Sequence, residues 1–414
     1  MKILRIIYDW PEPWVGLSPH PYELTIAQTH LGHELTVFAG RWPRSGEIQK
    51  PDGVDVIGFN REPLKGTLNI TTSISLFFYY LKWRKNNTPA IIHSHGHFAI
   101  WIYLYRLFLK KFAKKSKELK IPLVVHFHNT VEGRKQKLLE TGAKIDPIST
   151  YLSWPLGKLS DQWAVKAGDA LVFVGQELLE DAVKYYDAPR EKSFVIESGV
   201  NDSMFRPVGQ EEKEKTRRDL GLDTLDRVIV NYGMMVARKN VLKLVEALSL
   251  LPDKYKLLLV GPGDTDYLDK IDELIKAKKL GSRIIQAGYT PYPQIPIALQ
   301  SADVFVLPSS FEGTPKVVME SLSCGVPALA SGFELSEDIS GLVYLDDISP
   351  ETIARQIQEI FDSGIQVDRA KIHHLFSWDV RARKVEEVYA FVLKTSEMIT
   401  HSRMRGKRFL AADC

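Results

Sequence analysis

The sequence predicts an α/β protein of two doubly wound, Rossmann-like domains facing a central cleft. Three observations lead there. The chain has 414 residues, too many for one ordinary core and enough for two domains of roughly 150–200 residues each. Short apolar runs rich in β-branched residues alternate with longer amphipathic segments almost from end to end. Continuous apolar strands separated by helices belong to parallel sheets covered on both faces. The alternation comes in two series, divided by a polar stretch with Gly199 and Pro207 near Ser198–Gln210.

The first series places strands at 2–8 (KILRIIY), 34–39 (ELTVFA), 54–59, 90–94 (AIIHS), 123–128 (LVVHFH), 170–174 (ALVFV) and 194–197. The second places them at 227–232 (RVIVNY), 256–260 (KLLLV), 283–287 (RIIQA), 303–307 (DVFVL), 327–330 and 342–345. Helical patterns fill most of the gaps. The domains expected are 1–205 and 206–377. A last long helix at 378–398 has the length to cross back to the first, and 399–414 reads as a loosely ordered tail.

Composition narrows the class. Apolar content of 44% and charged content of 25% are ordinary for a globular protein. The formal net charge of +3 says little about partners, and no nucleic-acid module is visible. Two cysteines, Cys324 and Cys414, exclude a disulfide framework and suit a reducing compartment. MKILRIIYDW reads as a first strand rather than a signal peptide, and no apolar run approaches the ~18–20 residues of a membrane span. The expected location is cytoplasmic.

Ligands of doubly wound sheets sit at the carboxyl ends of strands, so chemistry is sought there. The segment SADVFVLPSSFEGTPKVVMESLSCGVPALAS, residues 301–331, reads as a buried strand ending at Pro308, a short loop with Glu312 and Gly313, and a helix. Thr314 suits the N-cap, Pro315 the first helical position, and Gly325 the end. Free N–H groups at a helix start favour phosphate or sugar hydroxyls. Carboxylates such as Glu312 and Glu320 accept hydrogen bonds from vicinal hydroxyls. NYGMMVARKNVLKLVEAL, residues 231–248, sets Arg238 and Lys239 at another strand end. Two cations there suit a diphosphate, which gains charge as it departs. Taken singly, solvated glutamates and a solvated basic pair remain the plainer readings.

The complete string S-x-x-E-G-x-P-x-V-x-x-E-x-x-x-x-G-x-P resembles the E-x7-E donor signature of glycosyltransferase family 4, the retaining "glycosyl transferases group 1" of the GT-B fold. The resemblance implies that Glu312 contacts the donor sugar, that the backbone of Gly313, Thr314, Pro315, Lys316 and Val317 cradles sugar and phosphate, and that Glu320 binds the ribose. The segment at Gly233 resembles the family's G-R-L-x-x-x-K-G element. Gly233 and Lys239 match, Met234 stands at the usual arginine and Asn240 at the glycine, which leaves Arg238 as the candidate second cation. Gly261 and Gly263 fall at its G-x-G, and Tyr289 where its backbone reads the base. LGHELTVFAG (31–40) in the first half, IESGVNDSMFRP (196–207) at the junction of the two halves and FSWDVRARKVEEVYAFV (376–392) near the end of the chain resemble family segments. Gly16 falls in the loop that touches the diphosphate, though the usual Gly-Gly pair is absent. His128 matches a strand-end histidine near the reacting sugar, and His95 is a possible acceptor-side residue, with His93 and His97 behind it.

The implied function is retaining transfer of a sugar from a UDP- or GDP-sugar to a glycan, lipid-linked or other hydroxyl acceptor, with the departing phosphate helping to deprotonate the acceptor. A nucleotide-sugar epimerase of the same fold and a non-catalytic sugar-nucleotide-binding partner subunit are the alternatives. No cofactor or metal is expected: Asp264-Thr-Asp266 reads as a helix cap, and no His or Cys cluster has zinc spacing. Segment 101–120 (WIYLYRLFLKKFAKKSKELK) carries seven Lys/Arg and one acidic residue among aromatics. It suits either a helix resting on an anionic membrane surface or a core-facing helix with a solvated basic face.

Overall fold

The computed structural model describes all residues except Val15, Leu17, 43–46, 62–69, 141–146, Gly313, Thr314, Ser336 and 411–414. It contains two compact units, Met1–Glu197 with Arg381–Cys414, and Ser198–Val380. The chain passes between them once near Glu197 and again within the helix Trp378–Leu410, which runs on past 398. All the expected strands form, with ends shifted by two residues at most.

The first unit is built on β1 (Lys2–Ile7), β2 (Glu34–Arg41), β3 (Val54–Asn60), β4 (Ile91–His95), β5 (Leu123–Phe127), β6 (Ala170–Phe173) and β7 (Ser193–Val195). All pairs are parallel, in the order β3-β2-β1-β4-β5-β6-β7. Side chains alternate across a strand. Leu4, Ile6, Ile92, Leu123, Val125 and Phe127 therefore share one face and join Tyr80, Ile102 and Tyr103 in the main core. Burying each such side chain contributes about 1.5–3 kcal/mol. The opposite face is polar. Arg5 stands beside His93 and His95 beside His126 in the strand register. The helix Pro19–His30 covers this face: Arg5 donates to Thr25, to Gln28 and to the carbonyl of Pro21. The returning helix joins it, with Gln28 donating to Glu386 at 2.9 Å and the Tyr389 hydroxyl 2.6 Å from His93 Nδ1.

The second unit repeats the scheme with β8 (Arg227–Tyr232), β9 (Tyr255–Val260), β10 (Ile284–Gly288), β11 (Val304–Pro308), β12 (Ala328–Ser331) and β13 (Leu342–Tyr344), all parallel in the order β10-β9-β8-β11-β12-β13. Its core joins Ile229, Leu257, Leu259, Val304, Val306 and Leu329 to Leu244 and Leu248 of the helix Val241–Leu250 and to Ile353 and Ile357 of the helix Pro350–Ser363. The strand order reverses between β1 and β4 in one sheet and between β8 and β11 in the other. Such switch points, at the carboxyl ends of the strands, open crevices for ligands in doubly wound sheets.

One close approach at the second switch point has a measurable consequence. Gly261, at φ +128°, follows β9, and a Cβ there would stand 2.1 Å from the carbonyl oxygen of Gly233. Both the contact and the left-handed backbone exclude a side chain. Gly261→Ala is expected to destabilise the fold by at least about 1–3 kcal/mol, read as a lower Tm; an unchanged Tm would show that the two loops are not packed as described.

Candidate functional site

In the second unit the loops after β8 and β11 meet. Asn240, at φ +51°, ties them: its amide donates to the carbonyl of Pro308 at 2.8 Å and to Ser310 Oγ at 2.9 Å. Asn is among the few side chains that accept a left-handed backbone, which explains how it stands where the family pattern has glycine. The amide of Ser310 donates to the carbonyl of Arg238 at 2.8 Å, and that of Glu312 to Gly332 at 2.6 Å.

These contacts bring Glu312, Arg238 and Lys239 to one point. Glu312 Oε1 lies 2.7 Å from Arg238 Nη1 and 2.7 Å from Lys239 Nζ, and it accepts from Ser309 Oγ at 2.8 Å. Burial pushes the Glu312 carboxyl up, but Lys239 and then Arg238 outweigh it and hold it below its ordinary value. Burial lowers the Lys239 ammonium from its ordinary value, against the pull of Glu312. Gly233, at φ +138°, lies under this lysine: a Cβ would stand 3.7 Å from its Nζ. The cluster has two cations for one carboxylate, a ready counter-charge for a diphosphate. Met234 is exposed, so Arg238 is the arginine that reaches the cluster.

The helix after β11 is Lys316–Ser323, and its N-cap is Pro315 rather than Thr314: Pro315 is extended, at φ −74° and ψ 104°, so the helix begins one residue later than the sequence suggested. Gly313 and Thr314 lie outside the described residues. Val317 is half-buried in the first turn. Lys316 turns inward, 3.1 Å from Glu320 Oε1 and 3.9 Å above the Tyr292 ring. Glu320 is fully buried, and burial raises its pKa against the opposing charge of Lys316. Tyr289 is exposed just past β10. Asp264 occupies the N-cap of the helix Thr265–Ala277, without a side-chain capping bond.

A carboxylate kept in so dry a place costs stability. Glu320→Gln is therefore expected to leave Tm equal or higher while weakening nucleotide-sugar binding about tenfold or more, since a hydrogen bond to a charged group is worth about 1.5–3 kcal/mol. Thermal melts with and without donor measure both; a fall in Tm would mean that the carboxylate is a structural bond.

In the first unit the polar sheet face gathers histidines. His93, His95, His126 and His128 stack within 18° of parallel. His20, from the helix Pro19–His30, crosses His126 and His128 at 88° and 82°. His95 Nδ1 is 2.9 Å from His128 Nε2, and His93 Nε2 is 3.3 Å from His126 Nδ1. Burial first, then neighbouring rings and Arg5, holds His93, His95 and His126 well below their ordinary pKa; burial lowers His128 as well. Burial thus disfavours the charged form of all four. The side chain of His97 lies outside the description. Gly16 is exposed at φ +59°, with the Asp9 carboxylate 2.8 Å from where its Cβ would stand, and Asp9 is paired with Arg61 at 2.9 Å.

Sequence reasoning placed no role on Ser309, His126 or Tyr292. Ser309 was present as the first residue of the S-x-x-E string. The histidines come from three separate segments, so no local spacing announces them.

Comparison with known proteins fits this arrangement. The family described as Glycosyltransferase Family 4 matches residues 14–203, and that described as Glycosyl transferases group 1 matches 212–372. An uncharacterized glycosyltransferase of Methanocaldococcus jannaschii is 23% identical over 95% of this chain and 99% of its own length. Two solved structures share the fold. Sucrose-phosphate synthase of Thermosynechococcus elongatus has a TM-score of 0.72 at 18% identity, covering 95% of this chain and 99% of that one. Anabaena HepE in complex with UDP-glucose has a TM-score of 0.68 at 15% identity, covering 94% and 99%. With each unit matched by its own family and both sheets wound in the same order, the chain belongs to the group 1, or family 4, glycosyltransferases of the GT-B fold.

Proposed function

We propose that this glycosyltransferase moves a sugar from a UDP- or GDP-sugar, with retention of configuration, to a hydroxyl of a glycan or lipid-linked acceptor. The observation that carries the reading is the joint approach of Lys239, Arg238 and Glu312 at the switch point between β8 and β11. The donor diphosphate lies against Lys239, Arg238 and the N–H groups opening the helix Lys316–Ser323. Gly233 and Gly261 allow the backbone to approach it, Glu320 accepts from the ribose hydroxyls, and Tyr289 lies against the base. Gly16 contributes to the diphosphate loop of the first unit. Glu312 and His128 act at the sugar and His95 at the acceptor side. The bond from the anomeric carbon to the phosphate oxygen breaks as the acceptor oxygen bonds the same face, and the acceptor proton passes to the departing phosphate. Charge on the leaving group is met by side-chain cations, so transfer needs no metal.

Nucleoside diphosphate release with candidate acceptors tests this. Release that tracks glycosylated product, at the same rate with and without added Mg²⁺, is expected. Donor binding without turnover would favour the non-catalytic subunit, and a modified free sugar would favour the epimerase.

The acceptor proposal extends to a membrane surface. Among the described residues no helix is long and apolar enough to cross a bilayer. In the helix Ile100–Phe112, Arg106 and Lys110 are committed to Asp169 at 2.8 and 3.3 Å, whereas Phe108 and Phe112 are exposed, as are Ile74 and Phe78 of the adjoining helix Ile70–Arg84. Exposed aromatics beside Lys111, Lys114, Lys115 and Lys117 suit an anionic bilayer. Phe108→Asp with Phe112→Asp is expected to abolish co-sedimentation with anionic vesicles while leaving Tm unchanged; retained binding would remove this surface from the proposal.

A further inference from the structure

The transfer chemistry leaves most of the histidine array of the first unit unexplained. Five imidazoles, from the helix Pro19–His30, from β4 and from the end of β5, occupy the polar face of one sheet. A sheet face of this kind is ordinarily filled with aliphatic side chains, as the opposite face is here. Packing alone does not call for five rings, each with two nitrogens to satisfy.

Two triads bring one nitrogen from each ring close together, His93–His95–His126 and His20–His126–His128; the rings of the first are all stacked, and the second includes a ring that crosses the others. One nitrogen each from His20, His126 and His128 lies within 4.8 Å of the other two. Bonds of about 2.1 Å put two imidazole nitrogens on one zinc ion at most about 4.2 Å apart, so small ring rotations close the set. His126 and His128 are stacked, while His20 crosses them near a right angle. The third nitrogen therefore approaches from another direction, as a non-planar donor set requires. We propose that the first unit binds a divalent transition-metal cation of the zinc type between His20, His126 and His128.

The surrounding bonds match what such a site needs. A ligating histidine usually has its other ring nitrogen hydrogen-bonded, which fixes tautomer and orientation. His93 Nε2 meets His126 Nδ1, and His95 Nδ1 meets His128 Nε2, leaving His126 Nε2 and His128 Nδ1 as the ligand atoms. His93 is in turn fixed by the Tyr389 hydroxyl at 2.6 Å, which Arg5 also reaches. His126 is only 1% exposed, and its Nε2 has no hydrogen-bond partner in the protein. A buried polar group left so is costly, and a metal bond removes that cost. Neutral imidazole is the ligating form. The candidate group holds nitrogen donors without carboxylate or thiolate, which selects Zn²⁺, Co²⁺, Ni²⁺ or Cu²⁺ over Mg²⁺ and Ca²⁺.

The ion takes no part in the transfer chemistry, whose cations are Arg238 and Lys239. It pins the helix Pro19–His30 to the end of β5. His128 has one nitrogen left beside its bond to His95, so the ion-bound form withdraws it from the sugar, and the role proposed for His128 in transfer belongs to the ion-free form.

The test uses the full chain without a polyhistidine tag. Equilibrium dialysis against Zn²⁺ is expected to give one ion per chain. Titration with Co²⁺ is expected to give the intense visible band of a four-coordinate centre, displaced by Zn²⁺. His20→Ala is expected to weaken Zn²⁺ binding at least tenfold and to remove the rise in Tm that the ion gives the wild type. His374→Ala, at an exposed position, is expected to change nothing. Hydrogen exchange of the first unit's strands, unchanged from wild type in the metal-free protein, serves as the check that His20→Ala is folded. Absence of stoichiometric binding, a pale six-coordinate cobalt spectrum, or unchanged affinity in His20→Ala would overturn the proposal. The readout is metal binding, so failure here leaves the donor site's reading untouched.

Discussion

Lys239→Ala is expected to lower kcat/KM for sugar transfer about 100- to 1,000-fold, the range seen when one preformed donor to a developing oxyanion is removed. The structure explains why the effect should be large for one lysine. Its ammonium is nearly buried and is aimed by the loop after β8, with Gly233 beneath it and Glu312 at 2.7 Å. A cation held in a dry place needs no reorganisation when the leaving phosphate gains charge. Arg238, about a third exposed, is screened more and should matter less, so Arg238→Ala is expected to fall between wild type and Lys239→Ala. Turnover followed by nucleoside diphosphate release decides the order. Equal losses would mean that the two cations act as a unit, and a normal rate in Lys239→Ala would remove it from the reaction.

For Glu312→Gln the expected result is a split between binding and turnover. In the free protein the carboxylate occupies both cations, and a diphosphate must share them with it. Removing its charge frees Lys239 and Arg238, so the Kd for UDP is expected to stay equal or become tighter. Turnover is expected to fall about 100-fold or more, because the charge facing the reacting sugar is lost. Calorimetric titration with UDP beside a turnover assay separates the two. Weaker UDP binding would show that Glu312 positions the cations rather than competing for them. The same substitution changes the acid limb of stability. Folding lowers the Glu312 pKa, so its ion pairs stabilise the fold above the ordinary carboxylate range. That contribution is lost as pH falls through the lowered value, and the glutamine variant should lack this part of the loss.

The donor motif was legible because its parts are local. A buried apolar strand, a loop with Glu312 and a helix carrying Glu320 follow one another within twenty residues, and each obeys short-range rules of burial and capping. Only the cap position differed, at Pro315. The meeting of Arg238 with Glu312 was less visible. It joins loops over seventy residues apart, and the departure at Met234 left Arg238 as a candidate with no local sign of its partner. The bond network of Asn240 ties the two loops, whose strands the sheet order makes neighbours, and there Arg238 reaches Glu312.

By itself the sequence determined the thirteen strands found among the described residues, their grouping into two parallel sheets and the family, because hydrophobic period and a continuous motif are properties of neighbouring residues. Tertiary structure alone decided which side chains share a charge and which share a sheet face. His20, His93, His95, His126 and His128 are scattered over more than a hundred positions, and only the parallel pairing of β4 with β5, under the helix Pro19–His30, stacks them. The physical reason is that register and crossover geometry are set by the burial of the whole unit. A polar array on the buried face of a sheet therefore leaves no periodic trace along the chain.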